Sequence, residues 1–472
     1  MSGPGVGKEE VGIMRKILAA AAFLMIGSAL AQDIAGDWQG RVKADAAELH
    51  IVLHVARAND GTLTATLDSV DQGVRGIPIT SISVLDSNLI LTDSMQVKYE
   101  GKIDPDGMGI DGTLLQGGRS FPFHLRRQAV PLKTQPSPPQ AAAHLPGEPI
   151  SEEVSWMIGE TVVAATITRP DDHAVHPGIV FVAGSGPTDR DWNSPLLAGT
   201  NGSAKLLANE LAKKGFFTIR YDKRFTGPNA GKNLPLMLGK ISFTTHQEEL
   251  SGAVSQLLAR AEVNPKQIYV IGNSEGTLHA MKYQLEKSPR FAGLVLAAPP
   301  GRNITELARS QIEAQVTSLA NAKEIMAGYD KLIADFVAGR PFSPDPALPQ
   351  GINNLVQSFN NPGSLPFSRE LLSTDAALLI NQITSPVLVV IGKKDIQVDW
   401  QVDGAALEKA ARGQSNVTFS YPENANHILK NEIQPRSALT VVSVQNTYND
   451  ASRVLDADAL KIIEDWLVGH VK

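Results

Sequence analysis

Ser274 stands in a short glycine-flanked segment whose residue types suit nucleophilic catalysis. The segment follows Gln267 to Ile271, an apolar run typical of a buried strand, and it opens a helical pattern. A serine at a sharp strand-to-helix turn has a strained backbone, and glycines two residues away on either side avoid clashes there. Strand, turn and helix are the context that supports a nucleophile elbow, so we predict Ser274 as the nucleophile. The segment reads Gly272-Asn273-Ser274-Glu275-Gly276.

A serine hydroxyl is a poor nucleophile and needs a general base, for which two later histidines are candidates. His427 lies in a loop directly after Val417 to Tyr421, which has a strand pattern. His470 lies beyond the last predicted helix, Asp456 to Val468, near the end of the sequence. A catalytic histidine must reach over the nucleophile from a strand end, so we predict His427 as the base.

The acid of a serine triad should follow the strand before the histidine loop. Pro386 to Ile391 has that strand pattern, and Asp395 follows it, with Asp399 four residues further on. A buried carboxylate there would hold His427 in the productive tautomer and stabilise its charged form. We favour Asp395 because it is nearer the strand end, and Asp399 is the rival.

An oxyanion hole needs backbone N–H donors close to the nucleophile. We predict the N–H of Glu275 as one donor, and that of Ser185 or Gly186, in the glycine-rich loop after an earlier strand, as the other. This loop lacks the G-K-[ST] ending of a phosphate-binding loop, which argues against a nucleotide site. For the Glu275 side chain we expect an ion pair with Arg190 or Arg224.

The elements that position these residues alternate between strands and helices from residue 150 to 472. Such alternation predicts an α/β domain with a mostly parallel, doubly wound sheet. Between about residues 300 and 384 the alternation stops and apolar residues recur at helical spacing. We therefore expect a helical cap inserted in the catalytic domain, placed where it covers the strand ends.

A different pattern precedes this domain. Residues 32–128 alternate with period two and contain turn sequences, which predicts a small antiparallel β domain, either a barrel or a sandwich. Residues 129–149 are rich in proline and alanine and are expected to form a linker. The β domain is a possible site of oligomer formation.

The first 31 residues have the organisation of an export signal. Arg15 and Lys16 precede an apolar run from Ile17 to Ile26, and cleavage is expected after Ala31. Met14 is the expected start, with residues 1–13 as an upstream extension. We expect a periplasmic or secreted protein that is not membrane-bound after cleavage.

Composition narrows the function classes further. The chain has 472 residues and no cysteine, which excludes a thiol nucleophile and cysteine-based metal sites. A formal net charge of -6 gives no reason to expect nucleic acid as a partner. His50 and His54 share one face of a strand, but no third ligand is evident, so we predict no metal and no cofactor.

From Ile150 onwards these motifs resemble those of the α/β-hydrolase superfamily. The similarity is greatest to bacterial exported carboxylesterase-like serine hydrolases, related to the serine aminopeptidase and prolyl oligopeptidase branches. Asn273 departs from the pattern, since these relatives often have histidine before the serine. The resemblance also implies the small N-terminal β domain, with less specific motifs. The segments that carry it are Gly184 to Asp191, Tyr221 to Arg224, Gly272 to Gly276, Asp395 and His427.

Three functions remain open at this point. The leading hypothesis is hydrolysis of a small-molecule carboxylic ester, with a short to medium acyl chain, through an acyl-enzyme. A serine exopeptidase or a thioesterase would use the same triad. A non-catalytic binding protein on a hydrolase scaffold is the alternative from another class, although such proteins usually lack a triad member. Fold alone does not choose among them.

Overall fold

A computed structural model describes residues 33–471 with short gaps. The predicted signal peptide and most of the predicted linker lie outside the described residues. Two compact units make up the described chain, one built on a β-barrel and one on a mixed sheet. The gaps are residues 45–46, 59–61, 70–73, 86, 94–96, 117–118, 128–146, 196, 198, 318, 341–343, 350–351, 354–355, 357–358 and 361–362.

The N-terminal unit is a closed barrel in which eight strands follow one another in chain order. The first and last strands pair antiparallel, from Trp38 opposite Arg127 to Val42 opposite Phe123, and this pairing closes the barrel. Alternate side chains of each strand point inwards, so Trp38 and Phe123 are buried with aliphatic residues in one core. Of the two predicted architectures, the structure has the barrel. Its strands are β1 (Gly36–Ala44), β2 (Ala47–Arg57), β3 (Leu63–Ser69), β4 (Val74–Leu85), β5 (Asn88–Asp93), β6 (Lys98–Ile103), β7 (Gly109–Gln116) and β8 (Arg119–Arg127).

The C-terminal unit is built on a sheet of eight strands in the order β16-β15-β14-β13-β11-β12-β10-β9. The strands from β11 to β16 pair in parallel, whereas β10 is antiparallel to both of its neighbours. Parallel strands end at the same edge, so the loops after β11, β13, β15 and β16 meet there. The strands are β9 (Ile150–Ile158), β10 (Thr161–Arg169), β11 (His176–Val182), β12 (Phe217–Tyr221), β13 (Val263–Asn273), β14 (Gly293–Ala297), β15 (Val387–Val390) and β16 (Val417–Ser420).

Helices cover both faces of this sheet, as the alternating sequence predicts. The side chains of β11 show why, because Ile179 and Phe181 enter one core and Val180 and Val182 enter the other. The helices are α1 (Ser203–Lys213), α2 (Ala230–Met237), α3 (Phe243–Leu258), α4 (Glu275–Glu286), α5 (Ile304–Val316), α6 (Ala322–Val337), α7 (Leu365–Ser373), α8 (Ala376–Ile380), α9 (Asp403–Ala410), α10 (Val441–Thr447) and α11 (Ala457–His470).

Helices α5 to α8 lie between β14 and β15, where the sequence predicts a helical insertion. Helices α5 and α6 share a small core of their own that includes Ile312 and Tyr329. In the described part of the chain, no helix is both long and apolar enough to cross a bilayer. The last helix extends to His470, which the sequence analysis placed beyond it, and the Nδ1 atom of His470 donates to the carbonyl oxygen of Trp466 at 2.7 Å.

Candidate active site

Ser274 connects the end of β13 to the start of α4, in a backbone conformation that favours glycine. Its φ is 53° and its ψ is -122°. A Cβ atom at Gly272 would lie 2.7 Å from the carbonyl oxygen of Gly276, and one at Gly276 would collide with the carbonyl oxygen of Val182. The two glycines of the motif are therefore required by close backbone approaches, as the sequence analysis expected. Ser274 itself is partly exposed.

His427 and Asp395 follow the adjacent parallel strands β16 and β15 and are in contact. The Nδ1 atom of His427 donates to Oδ2 of Asp395 at 2.8 Å, and both side chains are buried. Oδ1 of Asp395 accepts the backbone N–H groups of Gln397 at 2.7 Å and Val398 at 3.0 Å. These bonds fix the carboxylate, which in turn orients the imidazole.

Asp399, the rival acid, has a different partner. Its Oδ2 atom accepts from the Arg436 guanidinium at 2.8 Å, and this charge outweighs partial burial to hold the pKa of Asp399 below its usual value. The same arginine donates from Nε to the carbonyl oxygen of Asp395 at 3.1 Å. Of the two aspartates, the structure brings Asp395 to the histidine and uses Asp399 to fix the loop.

Asn273 links the serine turn to the histidine loop. Its side-chain amide donates to the carbonyl oxygen of His427 at 3.0 Å. The departure from the histidine found in relatives thus places a hydrogen-bond donor beside the nucleophile. This contact is not predictable from the sequence, because an unpaired asparagine and a bridging one look identical there.

The glycine-rich loop after β11 lies beside Ser274, since a Cβ atom at Gly184 would be 3.3 Å from the Ser274 Cβ atom. The Lys223 ammonium donates to the carbonyl oxygen of Gly184 at 2.5 Å and to that of Gly186 at 2.9 Å. The Thr188 hydroxyl donates to the carbonyl oxygen of Ser185 at 2.7 Å. Among the described residues, the N–H groups of Ser185, Gly186 and Glu275 donate to no protein acceptor.

The Glu275 side chain is not paired with Arg190 or Arg224, so that prediction is wrong. Arg190 binds Asp222 at 2.7 Å, and Arg224 binds Glu249 at 3.1 Å. Both arginines are already bound by acidic side chains from other elements. A single sequence does not show such competition for an arginine.

Glu275 instead accepts from Nε2 of the buried His279 at 3.4 Å. Burial alone would raise the pKa of Glu275, but the His279 bond and the Lys223 charge outweigh it and hold the pKa at about 2. Burial, together with the neighbouring His246, lowers the pKa of His279 to about 4. At neutral pH the site therefore contains a charged Glu275 beside a neutral His279.

His246, Glu275 and His279 are of the types that bind zinc, and three of their possible ligand atoms lie within 4.8 Å of one another. The nearby buried charges already balance without an ion, because Lys223 and Arg224 face Glu249 and Glu275. A divalent cation would add two uncompensated positive charges in a buried site, at a large cost in free energy. We therefore assign no metal to this cluster.

Asp403 joins the start of the helical insertion to the loop that carries the acid. Its carboxylate is fully buried and binds the Arg302 guanidinium at 2.8 Å and 2.9 Å. It also accepts the backbone N–H groups of Gly301 and Arg302 at 3.2 Å, and that of Asp399 at 2.9 Å. The first residues after β14 are thus bonded to the loop that follows Asp395.

The strand order, the serine turn and the loops at the strand ends define a class. These features and the family-model match support membership of the α/β-hydrolase superfamily. The model of the family described as "Serine aminopeptidase, S33" matches residues 197–332, which include β13, the Ser274 turn and α4.

Among characterised proteins, the chain is similar to esterase EstD from Thermotoga maritima, with 24% identity over 311 residues. The match covers 64% of this chain and spans 64% of the length of that relative. A solved proline iminopeptidase from Mycobacterium smegmatis is 16% identical, with a TM-score of 0.40, over 68% of this chain and 98% of its own. A Pyrococcus furiosus esterase is also 16% identical, with a TM-score of 0.40, over 68% and 92%.

Proposed function

We propose that this protein is a serine hydrolase that cleaves small carboxylic esters through a Ser274-Asp395-His427 triad. The observation that carries the proposal is the buried contact between Asp395 and His427, next to a partly exposed serine held at positive φ. The Asn273 side chain bonds the serine turn to the backbone of His427, which supports their acting together. The similarity to an esterase supports the choice of substrate.

In this mechanism the Ser274 Oγ atom attacks the ester carbonyl carbon while Nε2 of His427 accepts the hydroxyl proton. Asp395 stabilises the resulting imidazolium through the Nδ1–H bond. The N–H groups of Glu275 and of Ser185 or Gly186 stabilise the oxyanion of the tetrahedral intermediate. His427 then gives its proton to the leaving alkoxide, and an alcohol departs. A water molecule, activated by His427, hydrolyses the acyl-enzyme and releases the acid.

Esters require less of the site than peptides do. Amide cleavage needs the leaving amine to be protonated in a well-defined geometry, and an aminopeptidase also needs carboxylates that hold a free α-amine. Glu306, Glu313 and Glu324 of the insertion are all exposed, and Glu313 binds Arg309 at 3.1 Å. These exposed side chains favour a solvated helical face over a built amine site.

A serine exopeptidase is the second candidate, because the matching family model is described as a serine aminopeptidase. A substrate panel separates the two functions: kcat/KM for acetyl, butyryl and octanoyl p-nitrophenyl esters, beside amino-acyl anilides. We expect the best ester to exceed the best anilide by at least tenfold. An anilide that equals or exceeds the best ester would make the exopeptidase the better assignment. The Ser274→Ala variant is the control for background hydrolysis.

Two further features belong to the proposal. Helices α5 to α8 follow β14, whose end lies beside the serine turn, and we propose that they cap the site and limit acyl length. Removal of octanoyl but not acetyl activity by a bulky substitution in the cap would support this role.

We also propose, from the N-terminal sequence, that the protein is exported. The mature protein should then begin at Gln32 and be found in the periplasmic or culture fraction. Recovery of an intact Met1 or Met14 N-terminus in the cytoplasm would contradict it.

A further inference from the structure

Lys223 is a buried lysine whose ammonium binds the glycine-rich loop after β11. It follows β12 and donates to the carbonyl oxygens of Gly184 and Gly186. Burial lowers the pKa of Lys223, while the charges of Glu275 and Glu249 oppose that effect. A buried ammonium that is kept charged by two carboxylates is costly unless its hydrogen bonds are well made. Its position therefore needs an explanation beyond packing.

The geometry of the peptide bond gives that explanation. In a trans peptide unit the C=O and N–H groups point in opposite directions. An ammonium on the carbonyl oxygen of Gly184 therefore turns the N–H of Ser185 away from Lys223. The Thr188 hydroxyl on the carbonyl oxygen of Ser185 does the same for the N–H of Gly186. The third carbonyl, that of Gly186, precedes Pro187, which has no N–H to be turned.

Glu275 contributes to the same arrangement from the other side. Its backbone N–H is one proposed oxyanion donor, and its carboxylate attracts the Lys223 ammonium, since each favours the charged form of the other. The Lys223 ammonium, which is bonded to the loop after β11, thereby also interacts electrostatically with the side chain of Glu275 at the start of α4.

We propose that Lys223 is a positioning residue that holds the loop at Gly184 to Gly186 in the orientation needed for oxyanion binding, with Glu275 as its counter-charge. The expected effect of Lys223 on catalysis rests on the proposed hydrolase function, whereas its expected effect on the loop conformation does not. The experiment measures the two effects separately.

The test uses Lys223→Met, which keeps the length of the side chain and removes the donors. The double variant Lys223→Met/Glu275→Gln restores charge balance without restoring the donors. Asn416→Ala is the matched control, because the Asn416 amide also donates to two backbone carbonyls, those of Ile383 and Ser385, at the opposite end of the sheet. The readouts are kcat and KM with a butyryl ester, the melting temperature, and the backbone conformation of residues 184–188 in crystal structures of the variants.

We expect kcat to fall about 10- to 100-fold in both Lys223 variants with KM within about twofold, because misdirecting a donor should cost less than the roughly 10²- to 10³-fold effect of removing one. The peptide planes from Gly184 to Gly186 should be reoriented in both Lys223 variants and should keep their wild-type orientation in Asn416→Ala. The double variant should regain melting temperature while kcat stays low. If Lys223→Met does not fold, the double variant carries the test.

Two results would overturn the inference. Recovery of kcat together with melting temperature in the double variant would show a purely structural role. An unchanged backbone conformation of residues 184–188 in both Lys223 variants would show that Lys223 does not hold the loop. If the wild-type protein cleaves no ester, the proposed function fails, and the loop conformation of the variants still decides whether Lys223 positions the loop.

Discussion

The Asp395→Asn substitution tests the triad at the atom that the structure identifies. Asparagine keeps a side-chain oxygen for the N–H groups of Gln397 and Val398, which Oδ1 of Asp395 accepts at 2.7 Å and 3.0 Å. Its NH₂ group then faces Nδ1 of His427, where the carboxylate accepted a hydrogen bond. A donor in that place makes Nδ1 an acceptor and puts the imidazole proton on Nε2, the atom that must receive the serine proton.

The expected loss is about 10⁴-fold in kcat, the magnitude that this change of tautomer has in serine proteases, which corresponds to about 5 kcal/mol of transition-state stabilisation. KM should stay within about twofold, because Asp395 is fully buried and does not reach the substrate. The melting temperature should change little, since the two backbone bonds remain.

Asp399→Asn is an unusually close control. Oδ1 of Asp399 accepts the N–H groups two and three residues ahead, those of Gln401 and Val402, as Oδ1 of Asp395 does for its own neighbours. The difference is the partner of Oδ2, which is Arg436 for Asp399. This partly exposed ion pair contributes less than about 1 kcal/mol to folding stability. Since Asp395, not Asp399, binds His427, kcat should change less than about threefold in Asp399→Asn.

The assay is hydrolysis of a p-nitrophenyl butyrate series under saturating and subsaturating conditions, with circular dichroism melting curves on the same preparations. Equal losses in the two variants would mean that the loop is merely being disturbed. A larger loss for Asp399→Asn would move the acid to Asp399 and refute the tautomer argument.

Three other predictions follow from the site. Ser274→Gly and Ser274→Ala should both be inactive and should not be labelled by a fluorophosphonate. In urea denaturation the glycine variant should be about 1 kcal/mol more stable than the alanine variant, because residue 274 has a φ of 53°. Equal stabilities of the two variants would contradict backbone strain at this position. Gly276→Ala should be severely destabilised, whereas Gly469→Ala, where a Cβ meets nothing within 4 Å, should gain up to about 1 kcal/mol; similar melting temperatures would argue against the close approach. Because the pKa of Glu275 is lowered to about 2, its contribution is present above its ordinary pKa and lost as pH falls towards 2. Relative to Glu275→Gln, it should fall from about 3 kcal/mol at pH 6 to about 1 kcal/mol at pH 3, and a constant difference would contradict the shift.

The positions of the proposed triad were accessible to sequence reasoning because each residue follows a strand. Parallel strands end at one edge, so an apolar run followed by a loop residue gives an approximate location in space. In the structure Ser274, Asp395 and His427 follow strand ends, and Asp395, the favoured acid, is the aspartate that contacts the histidine. The remaining step, from proximity to catalysis, stays a prediction.

Side-chain partners were less accessible. The partner of Glu275 depends on which charged groups from β9, the loop after β12 and α3 already bind Arg190 and Arg224, and spacing along the chain carries no information on that. Closure of the barrel is equally hard to predict from the sequence, because period-two alternation in β1 and β8 fits a barrel and a sandwich equally. Only the pairing of Trp38 with Arg127, at opposite ends of the domain sequence, distinguishes them.

The Asp403 anchor has a consequence for how such a protein diversifies. The chain enters the insertion at Gly301 and Arg302, which are bonded to Asp403, and leaves it directly into β15. The entry to the insertion is thus fixed by a contact outside α5 and α6. These two helices have a small core of their own, so their sequence and length can vary under selection for new substrates while Asp395 stays in place, whereas α8 places Ala376 and Ile380 in the main core. Grafting the corresponding segment of a relative between Asn303 and Asn360 should transfer acyl-chain preference without loss of turnover.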